Sequence, residues 1–263
     1  MNMALADSRS HAPDGISAKD WQVRCDLAAA YRLIAHYRMT DLIFTHISAR
    51  VPGPEHHFLI NHYGTMFHEM KASDLVKIDL DGNIIPEPHQ EGMPPRKVNV
   101  AAFCIHSAIH MARPDVMCVV HTHTAAGAAV SAQKRGLIPI SQHALRFYDR
   151  LSYHGYEGLA QNLDERDRLV RDLGENRHMI LRNHGLLVCG RTIPEAFIDM
   201  YYLERACQIQ LAAGEQELVM PPEDVRRTTV QQFKDAALER SQMAWNAALR
   251  DLVDSRTLDS YAS

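Results

Sequence analysis

Two hydrophobic periods alternate along the chain and predict its secondary structure. Apolar residues spaced three and four apart predict helices, at 18–38, 97–112, 159–174, about 192–213 and 223–253. Alternating apolar residues at 45–51 and 76–80, and short apolar runs at 58–61, 117–122 and 179–188, predict strands. The last of these segments contains an Asn-His-Gly turn, so it is expected to form two strands.

The order of these segments predicts an α/β fold. The strands are joined by hairpin signals such as Asp81-Gly82-Asn83 rather than by strict strand–helix–strand alternation. This favours a mostly antiparallel or mixed sheet covered by helices. We expect a flexible arm over 1–16, one domain over 17–220, and a helical extension over 221–263 that begins after two prolines.

Composition narrows the function classes. The 263 residues carry a net charge of −4, with 46% hydrophobic and 23% charged residues, so no basic field for nucleic acid or membranes is expected. No apolar run reaches the ~18 residues of a membrane span, and residues 1–15 lack the apolar core of a signal peptide. Five scattered cysteines fit a reducing cytoplasm.

A His-x-His pair ends the segment Cys118–Thr124. Alternate strand residues share a face, so His121 and His123 present two imidazoles side by side, unless they are two surface histidines at a strand end. His184, in the Asn-His-Gly turn, is the candidate third ligand; the alternative is a ring that bonds a backbone carbonyl. Three neutral imidazoles with an open position are typical of a catalytic metal site. Such ligands suit zinc, manganese or ferrous iron.

Several motifs occur in the order found in one protein family. Arg113-Pro-Asp-Val, Val-Val-His121-Thr-His123 and Leu181-Arg-Asn-His184-Gly-Leu are accompanied by Thr45-His-Ile-Ser-Ala-Arg50 and Phe58-Leu-Ile-Asn61. Over about residues 20–215 the chain resembles the class II aldolase/adducin domain. The resemblance implies a three-layer α/β/α fold with a central, mostly antiparallel sheet. It also implies a divalent metal on the residues His121, His123 and His184, and a homotetramer with sites at subunit interfaces.

Departures from the sugar-phosphate aldolases of this family indicate a different substrate. Ala102 stands where those enzymes have a glutamate that acts as ligand and acid/base. Val100 and Ala101 replace two phosphate-binding serines, and Thr45-His46 replaces the Gly-Asn of a phosphate loop. Methyl groups neither transfer protons nor bind phosphate. We therefore expect a non-phosphorylated substrate.

Six further side chains are candidates for catalysis or substrate binding. His106 lies four residues after Ala102, on the same helix face, and is a candidate acid/base unless it only bonds a backbone carbonyl. The resemblance places the other five in the pocket walls or in loops that approach the metal: Tyr156 as a catalytic candidate, and His46, Tyr63, Gln142 and Arg182 as substrate-binding candidates. For Arg182 the alternative is a structural ion pair.

These features favour a metal-dependent carbon–carbon lyase, a decarboxylase or a retro-aldolase, with decarboxylation preferred. The expected substrate is a small hydroxylated or aromatic carboxylate, and Zn2+ or Mn2+ is the preferred ion. One alternative is a non-haem Fe(II) enzyme that performs oxidative decarboxylation. A second is a non-catalytic interaction module like the adducins.

Overall fold

The architecture comes from a computed structural model that describes residues 12–92, 94–159, 163–214 and 216–254. Its central element is a seven-stranded sheet in the order β3-β2-β1-β4-β7-β6-β5. All neighbouring strands are antiparallel except β5 and β6, which are parallel. The strands are β1 (His46–Arg50), β2 (Phe58–Ile60), β3 (Val76–Ile78), β4 (Cys118–Thr122), β5 (Leu151–His154), β6 (His178–Leu181) and β7 (Gly185–Gly190).

Helices cover both faces of this sheet. The described helices are α1 (Ala18–His36), α2 (Val100–Ala112), α3 (Ala125–Ser131), α4 (Gln142–Leu145), α5 (Glu165–Leu173), α6 (Ile193–Ala213), α7 (Glu223–Asp235) and α8 (Ala237–Asp254). Three single 3-10 turns lie at Phe67–Glu69, Ala72–Asp74 and Pro88–Gln90.

The alternation of side chains along β4 divides the core into two layers. Cys118 and Val120 belong to the larger apolar cluster, which includes side chains of α1, α6 and α8. Val119 belongs to a second cluster with side chains of α2 and α5. The fold is therefore the expected three-layer α/β/α arrangement. Because His121 alternates with Val120, its ring lies on the α2 face of the sheet.

Two differences between the predicted elements and the structure lie in β5 and in the C-terminal helices. Residues 151–154 form the edge strand β5, which was not among the predicted strands. The helix expected over 223–253 is broken at Ala236, whose φ of −135° is not helical. Most of the predicted arm, residues 1–11, and the end of the predicted extension, residues 255–263, lie outside the described part of the chain. Among the described residues, no helix has both the length and the apolar character needed to cross a bilayer.

The start of α2 sets one wall of the site. Asn99 caps this helix through its side-chain oxygen, which accepts a hydrogen bond from the Ala101 backbone N–H. Ala101 and Ile105 line the pocket described below. Ala102 instead packs among side chains of β2 and β3, in a cluster with Phe58, Ile60, Val76 and Ile78.

Candidate metal centre

The sheet brings two histidines together at one end of adjacent strands. His46 begins β1 and lies opposite His121 in the antiparallel register with β4. Both rings therefore lie on the α2 face of the sheet, with their centroids 5.2 Å apart. His123 follows the end of β4, and its ring centroid lies 4.6 Å from that of His121.

The turn between β6 and β7 supplies the third imidazole. Asn183 adopts a left-handed conformation with φ of 55°, which asparagine tolerates better than most residues. Gly185 is required for a different reason: a Cβ atom there would collide with the Thr122 carbonyl oxygen. This close approach of the two backbones places His184 Nε2 2.9 Å from His123 Nε2.

The Nδ1 atoms of two of these rings already have partners. His121 Nδ1 donates to the Leu186 carbonyl oxygen at 2.9 Å, and His123 Nδ1 lies 3.1 Å from the Asp41 carboxylate. Since both partners only accept hydrogen bonds, the ring protons lie on Nδ1. The Nε2 atoms of His121 and His123 then carry lone pairs, although they lie only 2.8 Å apart. Such a pair is repulsive unless a cation lies between the two nitrogens.

This donor set fits a divalent metal ion. His121, His123 and His184 each offer a nitrogen within 4.8 Å of the others. Burial lowers the pKa of His121 well below its usual value, and burial together with His123 lowers the pKa of His184 to about 4. Both rings are therefore neutral at neutral pH, the form that binds metals. The carbonyl and carboxylate on the Nδ1 side are the partners that orient histidine ligands in metal sites.

The three histidines open into a pocket of about 480 Å3. Its walls combine aromatic and apolar side chains with two amides, from Asn99 and Asn183. The aromatic and apolar members are Phe44, Tyr63, Ile105, Tyr156 and Leu159. Among the described lining residues, Asp41 is the one carboxylate and there is no lysine or arginine. The pocket therefore lacks a fixed positive charge other than a bound cation.

A buried chain of hydrogen bonds leads from this pocket into the protein. His46 Nδ1 and His106 Nε2 lie 2.9 Å apart, and Ser48 Oγ lies 2.5 Å from His106 Nδ1 and 2.8 Å from His110 Nε2. Burial lowers the pKa of all three rings, and that of His110 falls to about 3, with a further contribution from the charge of Arg50. This hydrogen-bond chain consists of neutral groups and fixes the orientation of His46.

The structure brings some of the predicted site residues together and leaves others outside the pocket. His46, Tyr63 and Tyr156 line it with the three ligand candidates, whereas His106 lies behind His46 and does not. Gln142 lies on α4 and lines a different cavity. Arg182 stacks on Tyr153 at 4.2 Å and donates to the Gln133 carbonyl oxygen at 2.6 Å.

Sequence reasoning missed several members of the site. Asp41 lies in an aperiodic segment after α1, so nothing local indicates that it orients His123. Ser48 and His110 were detectable in principle. Ser48 lies two residues from His46 on one strand, and His110 lies four residues from His106 on one helix.

Comparison with known proteins agrees with the fold. The model of the Class II Aldolase and Adducin N-terminal domain matches residues 25–211. A putative aldolase class 2 protein of Caulobacter vibrioides is 48% identical over 240 residues, covering 90% of this chain and 91% of that protein. Alpha-adducin of Mus musculus is 43% identical over 204 residues, covering 75% of this chain and 27% of that much longer protein.

Two solved structures share the architecture. The aldolase II superfamily protein of Pseudomonas syringae superimposes with a TM-score of 0.87 at 50% identity, covering 95% of this chain and 98% of that one. L-fuculose 1-phosphate aldolase from Glaciozyma antarctica PI12 gives a TM-score of 0.79 at 27% identity, with the same coverage. The chain therefore belongs to the class II aldolase and adducin N-terminal domain family.

Proposed function

We propose that this protein is a metal-dependent carbon–carbon lyase that acts on a small, non-phosphorylated carboxylate with a hydroxylated or aromatic body. The observation that carries this proposal is the convergence of three imidazole Nε2 atoms at a pocket without an acid on its α2 wall. A divalent ion bound by His121, His123 and His184 would supply Lewis-acid stabilisation of negative charge on the substrate. Zn2+ and Mn2+ are the preferred ions.

The pocket walls support a non-phosphorylated substrate. A phosphate group is most often bound by arginine, lysine or backbone N–H groups at a helix start. The described lining residues contain no lysine or arginine, and the helix position that could donate to phosphate is Ala101. The aromatic walls of Phe44, Tyr63 and Tyr156 suit a substrate with an aromatic or similarly flat body.

The same walls favour decarboxylation over a retro-aldol reaction. A retro-aldol step must remove a proton from a substrate hydroxyl group, and this needs a base near that oxygen. Asp41 is the one described carboxylate in the pocket, and it is committed to His123. Decarboxylation needs no such base. The bond between the substrate carbon and the carboxylate carbon breaks and carbon dioxide leaves. The electron pair of that bond stays on the substrate carbon, which then takes a proton.

We assign His46 to substrate binding and His106 to positioning. His106 Nε2 holds Nδ1 of His46, and Ser48 in turn holds Nδ1 of His106. This leaves the Nε2 edge of His46 for the pocket. Because burial keeps the ring neutral, His46 is suited to bind a substrate oxygen by a hydrogen bond rather than by charge. His106 acts through His46 because both of its ring nitrogens are occupied.

Tyr156 is the proposed proton donor. Its ring lies 6.3 Å from that of His184 at the mouth of the pocket, and its side chain is 54% exposed. The phenol can therefore give a proton to the substrate carbon and recover one from water. Tyr63 and Asn99 also line the pocket, and we assign Tyr63 to substrate binding.

The first test is the variant His121→Ala. We expect it to lose bound metal, measured by plasma mass spectrometry, and to lose carboxylate turnover by about a thousandfold, since removal of one ligand leaves two. His68→Ala, an exposed histidine far from the three ligands in sequence, is the matched control and should keep both. Full turnover by a metal-free His121→Ala enzyme would exclude a metal-dependent lyase.

A non-catalytic interaction module is the second candidate, because alpha-adducin is 43% identical over 204 residues. Purified protein that holds no metal, together with no turnover of any hydroxylated or aromatic carboxylate, would favour it. The iron-dependent oxidative alternative is separated by one further measurement: metal-loaded enzyme that consumes oxygen in proportion to carbon dioxide release is an oxygenase.

Two further properties belong to the proposal. The family resemblance supports a homotetramer with sites at subunit interfaces. A cytoplasmic location is supported by the five cysteines, all of which are buried and none of which forms a disulfide.

A further inference from the structure

A second cavity lies between α4, α6, α7 and α8. An inner chamber of about 150 Å3 is lined by side chains from all four helices, and an outer chamber of about 450 Å3 adjoins it through the shared residues Gln142, Phe233 and Arg240. The two chambers share no lining residue with the metal pocket. Within one subunit they are therefore separate from the metal pocket.

One polar side chain inside this cavity lacks a partner. Ser241 lines the inner chamber, is only 1% exposed, and its hydroxyl has no hydrogen-bond partner among the described residues. A buried hydroxyl without a partner costs free energy, of the order of 1–3 kcal/mol. The hydroxyl is shielded by the chamber wall, and a rotation of the Ser241 side chain toward the chamber would let a ligand oxygen accept its hydrogen bond and remove that cost.

Two arginines line the cavity, and one of them has no carboxylate partner among the described residues. Arg146 is already paired with Asp199, with its Nε 2.7 Å from the carboxylate. Arg240 is different: its Nη1 donates to the Gln232 carbonyl oxygen at 2.9 Å, and no carboxylate of the described residues pairs with it. Neither chamber is lined by a described aspartate or glutamate. The cavity therefore favours an anionic group.

The remaining walls suit a flat apolar body. Tyr202 and Phe233 both line the inner chamber, and the guanidinium carbon of Arg146 lies 5.2 and 5.4 Å from their ring centroids. Ile198 and Ala244 complete the apolar lining. A cavity of about 150 Å3 is the size that holds one benzene ring.

From these four features we infer that this cavity is a binding site for a small aromatic monocarboxylate. The ring occupies the inner chamber beside Tyr202 and Phe233, and the carboxylate accepts hydrogen bonds from Ser241 and Arg240. The site does not depend on the proposed lyase reaction. A regulatory ligand of the same chemical class as the proposed substrate would fit it.

The test uses benzoate as the probe and the full chain, treated with chelator, in isothermal titration calorimetry. Saturable one-to-one binding is expected in the wild type and equally in His121→Ala, because the metal pocket takes no part. Arg240→Gln should weaken benzoate binding about tenfold, since it removes a charge-assisted contact. Ser241→Ala should weaken it about threefold through loss of a neutral hydrogen bond.

Two controls make these results specific. Arg250→Gln is the matched variant, because Arg250 is also an exposed arginine on α8 that donates to a backbone carbonyl, at 3.0 Å, but does not line the cavity. It should bind benzoate as the wild type does. Benzamide, which has no charge, should bind about tenfold more weakly than benzoate.

Three outcomes would overturn the assignment. Loss of benzoate binding in His121→Ala would place the ligand in the metal pocket. Wild-type affinity in Arg240→Gln would remove the proposed anion contact. Absence of saturation up to about 20 mM benzoate, a concentration well above a weak millimolar affinity, would show that the cavity does not bind this class of ligand.

Discussion

Two buried clusters of ionisable side chains in this molecule differ in whether their hydrogen bonds are complete. In the first, which we call the ion-pair cluster, Arg24 is fully buried and contacts Asp20 at 2.9 Å and Glu87 at 2.7 Å. Lys77 lies 2.6 Å from Asp20 and 3.0 Å from Glu87. Every charge in this cluster has an opposite partner.

In the metal centre the hydrogen bonds are incomplete. The Nδ1 atoms of His121 and His123 have acceptors, but their Nε2 lone pairs face each other at 2.8 Å. A set of buried titratable groups therefore indicates a binding site when its members cannot complete one another's hydrogen bonds or balance one another's charges. The ion-pair cluster stabilises the fold, whereas the metal centre is arranged for a ligand that the chain itself does not supply.

Removing one charge from the ion-pair cluster should produce the largest change in stability. Arg24→Met leaves Asp20 and Glu87 buried with Lys77 alone, and we expect the free energy of unfolding to fall by about 3–5 kcal/mol. Metal content measured at low temperature should remain unchanged. Denaturant unfolding checks the prediction, and Lys19→Met, an exposed substitution on the same helix, is the control. A loss below about 1 kcal/mol would mean that the cluster is not the stabilising unit described.

A change beside the metal centre should have a smaller effect and a different readout. Asp41→Asn keeps a hydrogen-bond acceptor for His123 Nδ1 but removes the negative charge, so metal affinity should fall about 10- to 100-fold. The free energy of unfolding without metal should change by less than about 1 kcal/mol, because Asp41 is 45% exposed at its side chain. Competition with a chelator of known affinity measures the first quantity. An unchanged metal affinity would show that Asp41 does not orient the ligand.

The smallest expected effect comes from the hydrogen-bond chain behind His46. Ser48→Ala removes the hydroxyl that joins His106 to His110, and it should cost about 1 kcal/mol of stability. If these hydrogen bonds position His46 for the substrate, turnover should fall while metal content stays the same. Ser48→Thr, which restores a hydroxyl, should recover most of the turnover. A loss of stability without any effect on turnover would show that these hydrogen bonds only stabilise the fold.

The fold was largely predictable because most elements have a strong internal period. β1 alternates apolar and polar residues, β4 begins with an apolar run that leads into His121, and α2 carries an apolar stripe that ends before Pro114. The edge strand β5 was missed because it has only four residues and pairs in parallel with one neighbour, so little in its sequence distinguishes it from a loop. The break at Ala236 was missed because apolar spacing continues on both sides of it.

The candidate site was predictable only where its members share an element. His121 and His123 share a strand end, so their proximity follows from a period of two. Asp41 reaches His123 through tertiary packing over 82 residues of sequence, and no local pattern indicates that contact. The positions of Gln142 and Arg182 were expected from resemblance, and within this chain the structure places both outside the pocket.

The close approach that Gly185 permits has a consequence for the coupling between metal binding and folding. His123 and His184 are separated by 61 positions in the sequence, and an ion shared between them would act as a cross-link that closes this long loop. Because the ligand nitrogens converge only in the folded chain, such an ion would bind the folded state in preference to the unfolded one, and metal supply and folding would be thermodynamically coupled. The glycine would thereby connect the abundance of the folded protein to the metal content of its surroundings.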